Sequence, residues 1–159
     1  MEVYIVAVGK IREKFIIAGI EEYSRRLRPY LKLEIREGTE EKIPRHPSPG
    51  QVERILAIEG RSLLNLLPST AYVVALDREG QMFSSEELAK WLGELVLRGY
   101  NQIAFLIGGT LGLSPEVLAR AHFKLSFSRF TFPHQLMRLL LLEQLYRACK
   151  IQRGEPYHW

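Results

Sequence analysis

Three segments of this chain gather residues able to hold or transform a ligand. The first is Ile107-Gly108-Gly109-Thr110-Leu111-Gly112, a glycine-rich turn directly after an apolar run. Ligands of open parallel sheets sit at the carboxyl ends of strands, where a loop with few side chains lets the backbone approach them. The turn lacks the Gly-Lys-Ser/Thr of a Walker loop and the spacing of a dinucleotide fingerprint. A tight turn that needs positive φ accounts for the same glycines equally well. The second segment, Leu125-Ser126-Phe127-Ser128-Arg129-Phe130-Thr131-Phe132-Pro133-His134-Gln135, sets three aromatics, three hydroxyls and one Arg between a strand and a helix start. Its free backbone N–H and C=O groups could hydrogen-bond an adenine edge while the phenylalanines form an apolar slot. The same rings would also serve as a core plug, with Pro133 as first helical residue.

The third segment is the run from Leu136 to Ala148 and the tail Gly154-Glu155-Pro156-Tyr157-His158-Trp159. Leucines 139 to 142 wrap around more than one helix face, which predicts burial on two sides, as between a sheet and a second subunit. Glu143 and Arg147 stand four apart and can pair along the helix. Chain ends are ordinarily polar and frayed, so Pro-Tyr-His-Trp reads as a tail that closes over something. The histidines at 46, 122, 134 and 158 are far apart, and no Cys/His cluster has zinc spacing, so no metal is expected.

Strands and helices must position these segments. Val3 to Val8 reads as a buried strand ended by Gly9, and residues 13 to 28 as a helix stopped by Pro29. Leu31 to Arg36 alternates like a half-exposed strand. Glu37 to Gly50, with three prolines, two glycines and five charges, reads as a mobile surface loop. A second helix is predicted from Gln51 to Leu67, then a buried strand from Ala71 to Leu76 turning through Asp77 to Gly80. A third helix, capped by Ser84 or Ser85, follows. Ile103 to Ile107 is a further apolar strand, Ser114-Pro115-Glu116 opens a short helix, Leu125 to Phe127 is a short strand, and Pro133 starts a long last helix to Lys150. Strands apolar on both faces, each followed by a helix, predict a mostly parallel sheet with helices on both faces, in one α/β domain spanning residues 1–159.

The chain's 159 residues, 47% hydrophobic and 25% charged, suit one soluble domain with a core that needs no disulfide or metal. Cys149 is single and cannot bridge internally, which points to a reducing compartment. The first eight residues are too short for a signal core and begin acidic, and Gly99–Pro115, though free of charge, is broken by glycines. A cytoplasmic location and no membrane partner are therefore expected. Net charge is +4, and fifteen of the 22 bases are Arg. They cluster at Lys10, Arg12, Lys14, Arg25, Arg26 and Arg28, and again from Arg129 onward, which modestly favours a polyanionic partner.

Four motifs in order, Ile107-Gly-Gly-Thr-Leu-Gly, Thr131-Phe-Pro-His-Gln-Leu, Glu143-Gln-Leu-Tyr-Arg-Ala and Gly154-Glu-Pro-Tyr-His, resemble the bacterial 23S rRNA large-subunit methyltransferase H family. Val6-Ala-Val-Gly9-Lys and Glu22-Tyr23 are similar too, so the likeness spans the chain. Trp159 departs from it, because members often end on a basic residue. The family lies in the SPOUT class of knotted methyltransferases. The resemblance implies a deep C-terminal trefoil knot, a homodimer and S-adenosylmethionine as methyl donor. It places the donor pocket at Leu76, Gly108, Phe127, Ser128, Arg129, Phe130, Thr131 and Phe132. It also implies, as substrate, N3 of a pseudouridine in the helix 69 loop of 23S rRNA in the assembled ribosome. An imide N–H is weakly acidic, so its proton must be accepted or its anion stabilised. Arg147 is expected to stabilise that anion, and His158 or Tyr157, from a partner subunit's tail, to help take the proton. A SPOUT enzyme acting on tRNA and a non-catalytic ribosome-binding protein are the competing readings.

Overall fold

The computed structural model describes residues 1–157. Strands and helices alternate: β1 (Glu2–Val8), α1 (Lys14–Leu27), β2 (Lys32–Gly38), α2 (Pro49–Asn65), β3 (Tyr72–Met82), α3 (Ser85–Leu97), β4 (Gln102–Ile107), α4 (Pro115–Arg120), β5 (Phe123–Ser126) and α5 (His134–Gln152). Every strand pairing is parallel, in the order β2-β1-β4-β3-β5. In β1, Val3, Ile5 and Ala7 face one apolar layer and Tyr4, Val6 and Val8 the other. Side chains alternate along a strand, so a strand buried on both faces must read as one continuous apolar run. Leucines of α1, α3 and α5 cover the first face, and Leu63 of α2 and Val117 of α4 the second.

Local chemistry sets the helix starts. Ser84 and Ser48 each form a reciprocal capping box, with Glu87 and Gln51. Ser114 accepts a hydrogen bond from the Val117 N–H. The Ser48 box starts α2 at Pro49, two residues ahead of the expected start, because Pro suits the first helical turn.

Three expectations are corrected, and a fourth is met in part. The turn expected over Asp77–Gly80 does not form, because β3 continues to Met82 with a register shift against β5 between Leu76 and Gln81. Gly80 makes that course feasible: a Cβ there would lie 2.6 Å from the Lys124 backbone. The strand expected at Leu125–Phe127 begins earlier, at Phe123, alongside β3. Segment 39–48 has no regular structure, but it is tied down at its start, where the Thr39 N–H donates to Ser62 and the Glu41 N–H to Glu59. The surplus leucines of α5 find cover within the chain: Leu141 and Leu142 are buried toward the sheet, and Leu139 seats against Gly19 of α1. Leu140 instead lines a side cleft with Ser84, Ser85 and Leu88. Burial on two sides is thus met within the chain for Leu141 and Leu142, while Leu139 and Leu140 keep partial exposure.

Candidate functional site

The carboxyl ends of β4 and β5 and the register-shifted stretch of β3 after Leu76 open onto a cleft of about 490 Å³, within the usual span of small-molecule sites, about 300–1,000 Å³. Leu76, Gly108, Phe127, Ser128, Phe130, Thr131 and Phe132 line it together, as do Asp77 and the rest of the glycine turn. Arg129 is not among the lining residues. His134 and Met137, which open α5, complete one wall, and sequence reasoning missed both. Their helical spacing next to the aromatic segment was the available signal.

The tight-turn reading of the glycine segment holds, and the turn lines the cleft. Gly112 adopts φ +87° and donates its N–H to the Gly109 carbonyl at 3.0 Å, closing a tight turn. Gly108 has ordinary φ but no room: a Cβ there would lie 2.4 Å from the Gly112 carbonyl oxygen. Gly108→Ala should therefore cost about 1–3 kcal/mol in thermal or urea unfolding, the usual range for forcing a methyl into packed structure. Wild-type stability in that variant would show that the turn is loose.

The aromatic segment bends through its own hydroxyls. Ser128 Oγ accepts from the Phe130 N–H at 3.0 Å, and Ser126 Oγ donates to the Ser128 carbonyl at 3.2 Å. The bend leaves Phe130 80% exposed and Phe132 39% exposed, so these rings are not a core plug, whereas Phe127 packs against the core. The helix that follows is pinned to the ends of β1 and β2. Arg138 is buried, with Nη1 donating to Glu37 at 2.6 Å and Nη2 to the Gly9 carbonyl at 2.9 Å. One turn earlier, His134 Nε2 lies 3.3 Å from a Glu40 carboxylate oxygen.

Arg147 and Tyr157 lie elsewhere, on the side of α5 that faces α1. Glu143 Oε1 accepts from Arg147 Nε at 3.1 Å and Nη2 at 2.5 Å, and from the Tyr157 hydroxyl at 3.1 Å. The Arg147 guanidinium stacks 4.7 Å from the Tyr157 ring centre, and Tyr157 meets the Tyr23 hydroxyl at 3.3 Å. Glu143 raises the Arg147 pKa; burial, then the bond to Tyr23, raises that of Tyr157. Within one chain the phenol serves as a donor to Glu143. Ten residues of helix separate Arg147 from Met137, about 15 Å along the axis. One chain does not bring this cluster to the cleft. His158 lies outside the described residues.

Other candidate groups are structural. Burial pushes the Cys149 thiol up to about 11, so it offers no thiolate at neutral pH. His122 accepts the Val73 N–H on Nδ1 and stacks on Tyr72, and burial lowers its pKa. Among the described residues no group of three His, Cys, Asp or Glu could hold a metal, and no helix is long and apolar enough to cross a membrane.

A parallel α/β sheet with a glycine turn and an aromatic bend converging on one strand-end cleft is the arrangement of a methyltransferase of the SPOUT class. The family model described as "Predicted SPOUT methyltransferase" matches residues 1–158, and the chain belongs to that family. Within it, the chain is 64% identical over 154 residues to the ribosomal RNA large subunit methyltransferase H of Moorella thermoacetica, covering 97% of this chain and 96% of that one. It is 52% identical to the protein of the same name from Carboxydothermus hydrogenoformans, with 99% of each chain covered. Among solved structures, one described as a "probable methylase family protein" from Haemophilus influenzae Rd KW20 shares the fold. Its TM-score is 0.54 at 15% identity, over 99% of this chain and 70% of that one.

Proposed function

We propose that this protein is a cytoplasmic, S-adenosylmethionine-dependent methyltransferase that modifies N3 of a pseudouridine in the helix 69 loop of 23S rRNA within the assembled ribosome. The observation that carries the reading is the convergence of the β4–α4 and β5–α5 crossings with the irregular stretch Leu76–Glu79 of β3 on one cleft, in a chain whose relatives are named for large-subunit rRNA methylation.

The residues present suit that donor. Gly108 and its turn at the end of β4 border the same space as Phe127, Ser128, Phe130, Thr131 and Phe132 around the bend at Ser128. Asp77 and Glu79 on the rim, against one Arg78, suit a cationic ligand. When bound, S-adenosylmethionine supplies an electrophilic methyl group on its sulfonium. The protein's part is to align a splayed-out loop base and manage its N3 proton, and alignment alone can supply much of the rate. Arg147, oriented by Glu143 and Tyr157, stabilises the developing imide anion, and His158 takes the proton. In one chain Arg147, Glu143 and Tyr157 stand away from the cleft, so the reading requires a homodimer in which a partner's α5 and tail reach across. The deep trefoil knot belongs to the same proposal. It rests on the family and on a chain that leaves edge strand β5 and returns through residues 127–133 to α5, packed between α1 and α3.

The test incubates purified protein and labelled donor with ribosomes lacking the modification, and with tRNA, and maps the product by mass. One methyl on the helix 69 loop of 23S rRNA, with tRNA unlabelled, is the expected result. Labelled tRNA would establish the tRNA enzyme instead, and ribosome binding without transfer would leave a binding protein.

A further inference from the structure

Three side chains hold buried polar atoms with no aligned hydrogen-bond partner among the described residues: Glu59 Oε1, His134 Nε2 and Arg138 Nε. All three surround one corner, where segment 37–41 crosses the ends of β1 and β2. Arg138 grips Glu37, and His134 faces Glu40, so each has a counter-charge. Glu59 does not. It is 3% exposed, and the charges acting on it, from Glu40 and Glu41, are of its own sign. A buried carboxyl so placed is costly, and such groups concentrate at working sites.

Its neighbours say what the cost serves. Glu59 Oε2 accepts the Glu41 N–H at 3.0 Å. A Cβ built on Gly109 would lie 3.1 Å from Glu59 Oε1, and one built on Gly60 would lie 2.5 Å from Ser114 Oγ. Glu59 and Gly60 thus abut both ends of the loop between Gly109 and Ser114, and Gly109 lines the cleft.

We propose that Glu59 is a positioning residue for the donor cleft: one carboxyl oxygen holds segment 39–41 through the Glu41 N–H, and the other backs Gly109. One side chain then sets the glycine turn against the strap that carries Glu40 to His134, which lines the same cleft. The proposal rests on the reading of the cleft as an S-adenosylmethionine site.

The test titrates S-adenosylmethionine calorimetrically into wild type, E59Q, E59A, E59D, G109A and the E59A/G109A pair. Losing a buried hydrogen bond and the backing of the turn should weaken donor binding in E59A about tenfold or more. KM for the donor should rise in parallel while kcat at saturating donor stays within about twofold, the pattern of lost uniform binding. E59Q keeps the length and an acceptor, so it should remain within about threefold of wild type. G109A should weaken binding alone and add little once Glu59 is gone, since the new methyl meets that carboxyl. Wild-type affinity in E59A, or losses that simply multiply in the pair, would overturn the proposal. If E59A does not fold, E59D decides: its carboxyl is withdrawn by one methylene, and affinity equal to that of E59Q counts against the positioning role, weaker affinity for it. A wild-type protein that binds no S-adenosylmethionine removes the donor reading itself, and this proposal with it.

Discussion

Replacing Arg138 by methionine should lower the unfolding free energy by about 3 kcal/mol, and the melting temperature by roughly 6–12 °C for a domain of this size. Arg138 is 2% exposed and makes two charge-strengthened contacts, to Glu37 and to the Gly9 carbonyl. Methionine fills comparable length but satisfies neither. Removing one partner of a buried pair usually costs about 3–5 kcal/mol. The lower end applies here, because Glu37 keeps 35% side-chain exposure and can take water. The Gly9 carbonyl cannot, since that residue is buried. Arg138→Lys should fall between the two, because an ammonium can hold the charge but does not reproduce the fork. Thermal and urea unfolding check both variants, and a loss under about 1 kcal/mol in Arg138→Met would show that the corner reorganises freely. Arg138 lies one turn beyond His134, so the same variant should loosen the wall of the cleft.

Arg147→Ala should reduce single-turnover methyl transfer to ribosomes by about 10²–10³, the usual cost of deleting one group aimed at a developing anion. Donor affinity should change by less than about threefold, since an interaction made only in the transition state alters rate and not ground-state binding. The pairing with Glu143 and the stack on Tyr157 hold the guanidinium in one orientation. Arg147 and Glu143 keep only 24% and 18% side-chain exposure, so the loss should also cost about 1–2 kcal/mol in unfolding, a change small enough to leave the variant folded for the rate measurement. Arg147→Lys, a point charge without the fork, should recover part of the rate. Unchanged single-turnover rates in Arg147→Ala would remove that residue from the chemistry. A solution mass of one chain under turnover conditions would remove the second subunit from the site.

Much of this protein is legible in its residues alone. The apolar runs of β1 and β4 are continuous because both faces of a parallel sheet are buried, and Ser84, Ser114 and Pro29 punctuate helices through local hydrogen bonds and sterics. Such signals are short-range, so they survive in one dimension. The glycine turn and the aromatic segment are likewise visible as places where side chains give way to backbone. Tertiary structure decided the rest, because burial at these points depends on partners distant along the chain. Nothing near Asp77 says that β3 continues past it; the neighbouring edge strand β5 does. The leucines of α5 are apolar whatever covers them, and only packing shows α1 and α3 in that role. Glu59 and Arg138 read as ordinary surface charges until Glu41, Gly109, Gly9 and Glu37 close around them. The cost of burying a charge is a property of the assembled corner, and no window of sequence contains it.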